Sequence, residues 1–99
     1  MLGEAAAKGR QTDLSANGVF ARHGQTGVRA KEDIGFSVIR GGGVPGDHTV
    51  SYLAESEIVT ISHRALDRRL FAEGALKAAQ WVHGKPPGLY SMNDVLGLI

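Results

Sequence analysis

Gly35-Phe36-Ser37-Val38-Ile39-Arg40-Gly41-Gly42-Gly43-Val44-Pro45-Gly46-Asp47-His48-Thr49-Val50 holds an apolar run, a glycine-rich corner and the start of a second alternating run. The pattern predicts strand, tight turn, strand. Ile34, Phe36 and Val38 share one face of the first run, with Gly35, Ser37 and Ile39 on the other, the period-two signature of a half-buried strand. In the second run Val50, Tyr52 and Ala54 alternate with Thr49, Ser51 and Leu53, and the β-branched and aromatic content suits a pleated surface.

Beyond the Glu55-Ser56-Glu57 turn the alternation resumes. Val59, Ile61 and His63 share one face and Ile58, Thr60, Ser62 and Arg64 the other, so the sheet is expected to have one apolar and one mixed face. Val19-Phe20-Ala21-Arg22 adds a short strand, followed by Gly24-Gln25-Thr26-Gly27 and a charged loop through Lys31-Glu32-Asp33, longer than a hairpin needs. The expected fold is α/β, an α+β fragment with a mixed or antiparallel sheet of about four strands.

Helices flank this sheet. Met1 to Lys8 is alanine-rich and stops at Gly9. Isolated helices below about 12 residues are marginal in water, so this one reads either as the last turns of a longer helix or as a frayed N-terminal helix. Asp67 is a suitable N-cap for a long C-terminal helix in which Phe71, Ala75, Ala78, Ala79 and Val82 recur at helical spacing. Leu70, Leu76 and Trp81 widen its apolar sector. His83-Gly84-Lys85-Pro86-Pro87 ends it with a glycine C-cap and two prolines. The tail from Gly88 to Leu98 is apolar enough to dock.

Composition narrows the function classes. A chain of 99 residues with much of its 42% hydrophobic content in alanine builds a thin core, and so small a unit gains from a partner chain or neighbouring domain. A net charge of +1 argues against a strongly electropositive nucleic-acid surface. There is no cysteine, hence no disulfide, thiolate metal site or thiol nucleophile. No run reaches the roughly 18 apolar residues of a bilayer span, and Met1-Leu2-Gly3-Glu4 lacks a signal-peptide layout. The default setting is cytoplasmic.

The chemical motifs are mostly weak. Gly41-Gly42-Gly43-Val44-Pro45-Gly46 matches G-x-G-x-x-G as a string, but that fingerprint works by opening a helix whose amides face a pyrophosphate, and here a strand follows. A turn using positive φ is the plainer reading. His23, His48, His63 and His83 show no short metal-ligand spacing. His48 and His63 fit neighbouring strands, either as ordinary sheet histidines or as a shared site. Ser62, His63 and Asp67 have the residue types of a triad, but Ser62 and His63 point to opposite strand faces. Arg68 and Arg69 stand at a helix N-terminus, where the macrodipole is positive; a solvated pair or an anionic partner accounts for them.

Taken together, the order of motifs resembles the C-terminal part of the dihydrodipicolinate reductase family. The resemblance covers nearly the whole chain. It rests on Arg22-His23-Gly24-Gln25-Thr26-Gly27, Ile34-Gly35-Phe36-Ser37-Val38-Ile39-Arg40-Gly41-Gly42, Gly46-Asp47-His48-Thr49-Val50, Ile61-Ser62-His63-Arg64-Ala65, Phe71-Ala72-Glu73-Gly74-Ala75 and Gly88-Leu89-Tyr90-Ser91-Met92. Pro45, in place of an aliphatic residue, and a Glu55-Ser56-Glu57 turn one residue short depart from the pattern.

What the resemblance implies is a two-domain, NADPH- or NADH-dependent oxidoreductase of lysine and diaminopimelate biosynthesis. It would act on a small cyclic dicarboxylate and assemble as a homotetramer through the sheet. Neither the family's nucleotide-binding fingerprint, nor its His-His-x-x-Lys stretch, nor its Ser-Gly-Thr loop maps onto this chain, so no catalytic residue is assigned and the chain alone is expected to be inactive. By the same resemblance residues 1–66 are a partial substrate-binding and tetramerisation sheet domain. Residues 67–99 are the closing helix and tail of the absent nucleotide-binding domain. Arg68 and Phe71 match positions at the interdomain cleft and are the cofactor-binding candidates. The alternative is a non-catalytic, self-assembling sheet module.

Overall fold

The computed structural model describes residues 1–98 as four helices and four strands: α1 (Leu2–Gly9), α2 (Leu14–Asn17), β1 (Gly18–Val19), β2 (Ile34–Gly35), β3 (Gly46–Leu53), β4 (Ile58–Ala65), α3 (Arg69–Val82) and α4 (Met92–Leu96). They divide into two compact units, Met1–Gly42 and a second beginning at Gly43. The class is the mixed α/β expected. The strands form one parallel pair, β1 with β2, and one antiparallel pair, β3 with β4.

That pairing corrects the hairpin expected between the runs at 34–39 and 49–54. In the first unit Gly18 pairs with Ile34 and Val19 with Gly35. The Phe36 amide then donates to the Val19 carbonyl at 2.8 Å, and its ring stacks on Phe20 with centroids 4.7 Å apart. The first run is thereby bound to 18–20. Its remainder leaves the ladder, with Val38 and Ile39 exposed. The expected strand at 19–22 likewise shrinks to Gly18–Val19.

The second run finds its partner downstream. β3 and β4 pair along their whole lengths from Gly46↔Ala65 to Leu53↔Ile58, across a turn in which the Ala54 amide donates to the Glu57 carbonyl at 2.9 Å. A short turn closes at small entropic cost. The glycine corner would have had to turn through Val44-Pro45, and proline offers no amide to a ladder.

Two short helices were not foreseen. Asp13 caps α2, its Oδ1 accepting from the Ser15 amide at 2.9 Å. α1 ends as expected near Gly9, with the Arg10 amide donating to the Ala6 carbonyl. The Arg10 guanidinium reaches back across the long loop to the carbonyls of Lys31, Glu32 and Asp33 at 3.1 to 3.4 Å. Ala7 is the buried apolar residue of this unit at 3% exposure.

In the second unit α4 lies against α3, which is the docking expected of the tail. Ser91 precedes it, and the Asp94 carboxylate accepts from both the Ser91 amide and the Ser91 hydroxyl at 2.7 Å. The Trp81 ring meets Tyr90 edge-on at 5.3 Å, and Lys85 Nζ lies 4.5 Å from the Trp81 ring centre, a cation–π contact. The half-buried residues of α3 are Gly74, Ala78 and Trp81. The expected stripe through Phe71, Ala75 and Val82 is therefore only partly covered, because α4 packs on one side of it.

Candidate functional site

The β4–α3 junction gathers the two cofactor-binding candidates. β4 ends at Ala65, the other well-buried residue at 2% exposure, and Leu66-Asp67-Arg68 turns the chain into α3. Asp67 organises that turn as the sequence led us to expect, although one residue further upstream of the helix than a regular N-cap. Its Oδ1 accepts from the Arg69 amide at 2.8 Å, and its Oδ2 accepts from Arg69 Nε at 3.1 Å and Nη2 at 3.0 Å. These bonds, the backbone one first, hold the Asp67 carboxyl below its ordinary range.

The two arginines are thus not equivalent. Arg69 is engaged by Asp67, whereas among the described residues Arg68 makes no ion pair. The Arg68 carbonyl accepts from the Phe71 amide at 3.0 Å, placing the two candidates on the same first turn of α3. Phe71 is half exposed, Leu70 nearby is 37% exposed, and Leu66 is largely exposed. The surface couples a cation, the positive end of a helix and an exposed ring. That combination suits one edge of an anionic, planar-ringed ligand.

It does not amount to a dinucleotide site. Gly42 does adopt φ of 57°, as the turn reading required. The G-x-G-x-x-G string runs into β3, so no helix N-terminus stands there to receive a pyrophosphate. Among the described residues no group of three or more His, Cys, Asp or Glu could hold a metal ion, and no helix is long and apolar enough to cross a membrane.

The β3–β4 hairpin presents a second surface. On one face lie the pairs His48/His63, Val50/Ile61 and Tyr52/Val59. The opposite face is a polar ladder. There Asp47 accepts from Arg64 Nε at 2.6 Å, Thr49 and Ser62 hydroxyls meet at 3.0 Å, and Ser51 and Thr60 at 3.2 Å. The apolar and mixed faces are those expected from the alternation. Ser62 and His63 do project oppositely, which disposes of the triad.

The signals missed in the sequence are local ones. Ser91-Met92-Asn93-Asp94 has the spacing of a capping sequence before a short helix, and Asp13 has the same role before α2. The Arg10 brace had no sequence signal, because it links positions more than twenty residues apart.

An α/β chain with an exposed hairpin face and an arginine-bearing helix start is the class this architecture defines. The family profile described as "Dihydrodipicolinate reductase, C-terminus" matches residues 1–96. The chain belongs to that family. A 4-hydroxy-tetrahydrodipicolinate reductase of Caulobacter vibrioides is 60% identical over 97 residues, covering 98% of this chain and 38% of the relative. The enzymes of that name from Rhodopseudomonas palustris strain BisB5 and Brucella abortus are each 57% identical over 98 residues, covering 99% of this chain and 36% and 37% of the relatives. The chain spans a little over a third of the length of these relatives.

Proposed function

We propose that this chain serves as the C-terminal portion of a cytoplasmic, NADPH- or NADH-dependent reductase of 4-hydroxy-tetrahydrodipicolinate, in lysine and diaminopimelate biosynthesis. The observation carrying the reading is the uninterrupted family match over residues 1–96, with relatives of that name at 57–60% identity. In this role residues 1–66 belong to the substrate-binding and tetramerisation sheet, and residues 67–99 return to the nucleotide-binding domain. Arg68 and Phe71 border the cofactor from the helix start. Hydride transfer is assigned to groups outside this chain, since binding without positioned reacting groups contributes little to rate.

The test is a chimera in which this chain replaces the matching C-terminal stretch of the Caulobacter enzyme. The expected result is retained substrate-dependent NADPH or NADH oxidation by the chimera and none by the 99-residue chain alone. A folded but inactive chimera, or turnover by the isolated chain, overturns the reading.

The exposed Tyr52, Val59 and Ile61 on one hairpin face favour a second reading, a self-assembling sheet module without catalysis. Light scattering on the chain alone, set beside the chimera assay, separates the two. Tetramers combined with an inactive chimera select the module.

A further inference from the structure

Asn17 ends α2 and Gly18 opens β1. Asparagine is a thermolabile residue, and a glycine after it has no Cβ to shield its backbone nitrogen from the asparagine side-chain carbonyl. In the fold both groups that would react are engaged. Asn17 Nδ2 donates to Thr12 Oγ1 at 2.8 Å and to the Asp13 carbonyl at 3.3 Å, and the Gly18 amide donates to the Leu14 carbonyl. For the Gly18 nitrogen to attack Asn17 Cγ, the side chain must leave Thr12 and the amide must leave Leu14. Both happen together when α2 opens. We propose that Asn17-Gly18 is a fold-gated deamidation site, protected while α2 is formed and converted to aspartate and isoaspartate when α2 opens.

The reaction needs only water and hydroxide. The Gly18 nitrogen gives its proton to hydroxide and bonds to Asn17 Cγ; the Cγ–Nδ2 bond breaks, and ammonia leaves with a proton taken from water. Water then opens the resulting succinimide. Cleavage at Cγ gives aspartate, and cleavage at the backbone carbonyl gives isoaspartate. The gate is weak, because α2 is a single turn of four residues, and one turn closes few hydrogen bonds for the dihedrals it fixes. Such a segment opens at less cost than the unit as a whole. Glycine is nevertheless fixed at position 18, where a Cβ would stand 2.7 Å from the Leu14 carbonyl oxygen and 2.9 Å from the Phe20 ring. Conversion also prevents α2 from closing as before. A carboxylate at position 17 has no proton to donate to Thr12 or to the Asp13 carbonyl, and isoaspartate lengthens the main chain just before Gly18, the partner of Ile34.

The experiment incubates the full chain at mildly alkaline pH, in buffer and in urea concentrated enough to unfold it. Peptide mass mapping follows the exchange of NH2 for OH at position 17, and enzymatic methylation of isoaspartate reports the second product. Conversion should be at least about tenfold slower in the folded chain than in urea, as expected when hydrogen bonds to both reacting groups must first break. Asn93, the other asparagine of the chain, is followed by Asp94 and should convert later than Asn17 in urea. Thr12→Val should raise the rate in buffer roughly fivefold, the loss of one hydrogen bond, and leave the rate in urea unchanged. If Thr12→Val fails to fold, the ratio of rates for the native chain in buffer and in urea decides alone. Equal rates in buffer and urea, no conversion at position 17 in urea, Asn93 converting first, or a folded Thr12→Val chain with an unchanged rate in buffer overturns the proposal. The readout is independent of any reductase activity.

Discussion

Asp67 holds Arg69 through both carboxylate oxygens, one on the backbone amide at 2.8 Å and the other on the guanidinium at 3.0 and 3.1 Å. A charge at the start of α3 that the helix dipole disfavours is in this way neutralised locally. Arg68, one residue earlier, keeps its charge available.

The first consequence is kinetic. In an active chimera, Arg68→Ala should raise the apparent KM for the nicotinamide cofactor about tenfold, as expected for loss of one charge-assisted contact, with little change in kcat. Arg69→Ala should have a smaller effect, because its guanidinium is already occupied. Steady-state kinetics of both variants provide the check, and an unchanged KM in Arg68→Ala removes that residue from the proposed cofactor edge.

Acid should unravel helix ends. Asp67 is held low by the Arg69 amide and side chain, Asp94 by the Ser91 hydroxyl and amide, and Asp13 by the Ser15 hydroxyl and amide. A carboxyl whose folded pKa lies below its unfolded value contributes stability that is present above the unfolded value and lost as pH falls through the folded one. Helical circular dichroism should therefore decline below about pH 3.8, the ordinary aspartate value. Asp94→Ala should remove part of that acid dependence while lowering stability at neutral pH.

Gly3→Ala should destabilise the chain, although alanine ordinarily gains about 1 kcal/mol over glycine inside a helix. A Cβ at Gly3 collides with the Phe36 ring, already stacked on Phe20, and lies 3.3 Å from Leu14 Cδ2. A thermal melt that shifts upward for this variant would contradict the packing described.

Gly84 carries φ of 78° directly after α3, in the left-handed region that costs a residue with a Cβ about 1–2 kcal/mol. Gly84→Ala should lower the unfolding free energy by about 1 kcal/mol. Nothing lies within 4 Å of the added methyl, so the backbone alone accounts for the loss. Urea titration measures it.

Under the proposed sheet-mediated assembly, Ile61→Lys should abolish self-association through the hairpin. Ile61 is 65% exposed on the apolar face, and a charge placed there would have to be desolvated on assembly. Thr60→Lys, on the hydroxyl face, serves as the contrast. Light scattering reporting equal assembly of wild type and Ile61→Lys would move the interface elsewhere.

Much of this molecule was legible in short-range sequence pattern. The period-two alternation of 49–53 and 58–64 placed the correct residues on each hairpin face, Asp67 and Gly84 bracketed α3, and the string of motifs led to the family. Such features depend on neighbours within a few positions, where backbone geometry and capping chemistry act directly. The short helices α2 and α4 carried comparable signals in Asp13 and Ser91-Asp94, too brief to stand out from loop sequence.

Strand partnership was decided only in three dimensions. Residues 34–39 alternate as convincingly as 49–54, yet Ile34 and Gly35 pair in parallel with Gly18 and Val19. A strand's pattern states which face is apolar and leaves open whose backbone completes its hydrogen bonds. That choice rested on the Phe20–Phe36 stack, on the Pro45 interruption and on the short turn between Leu53 and Ile58. The same non-local pairing brought His48 opposite His63, fifteen positions apart in a sequence that left their relation open.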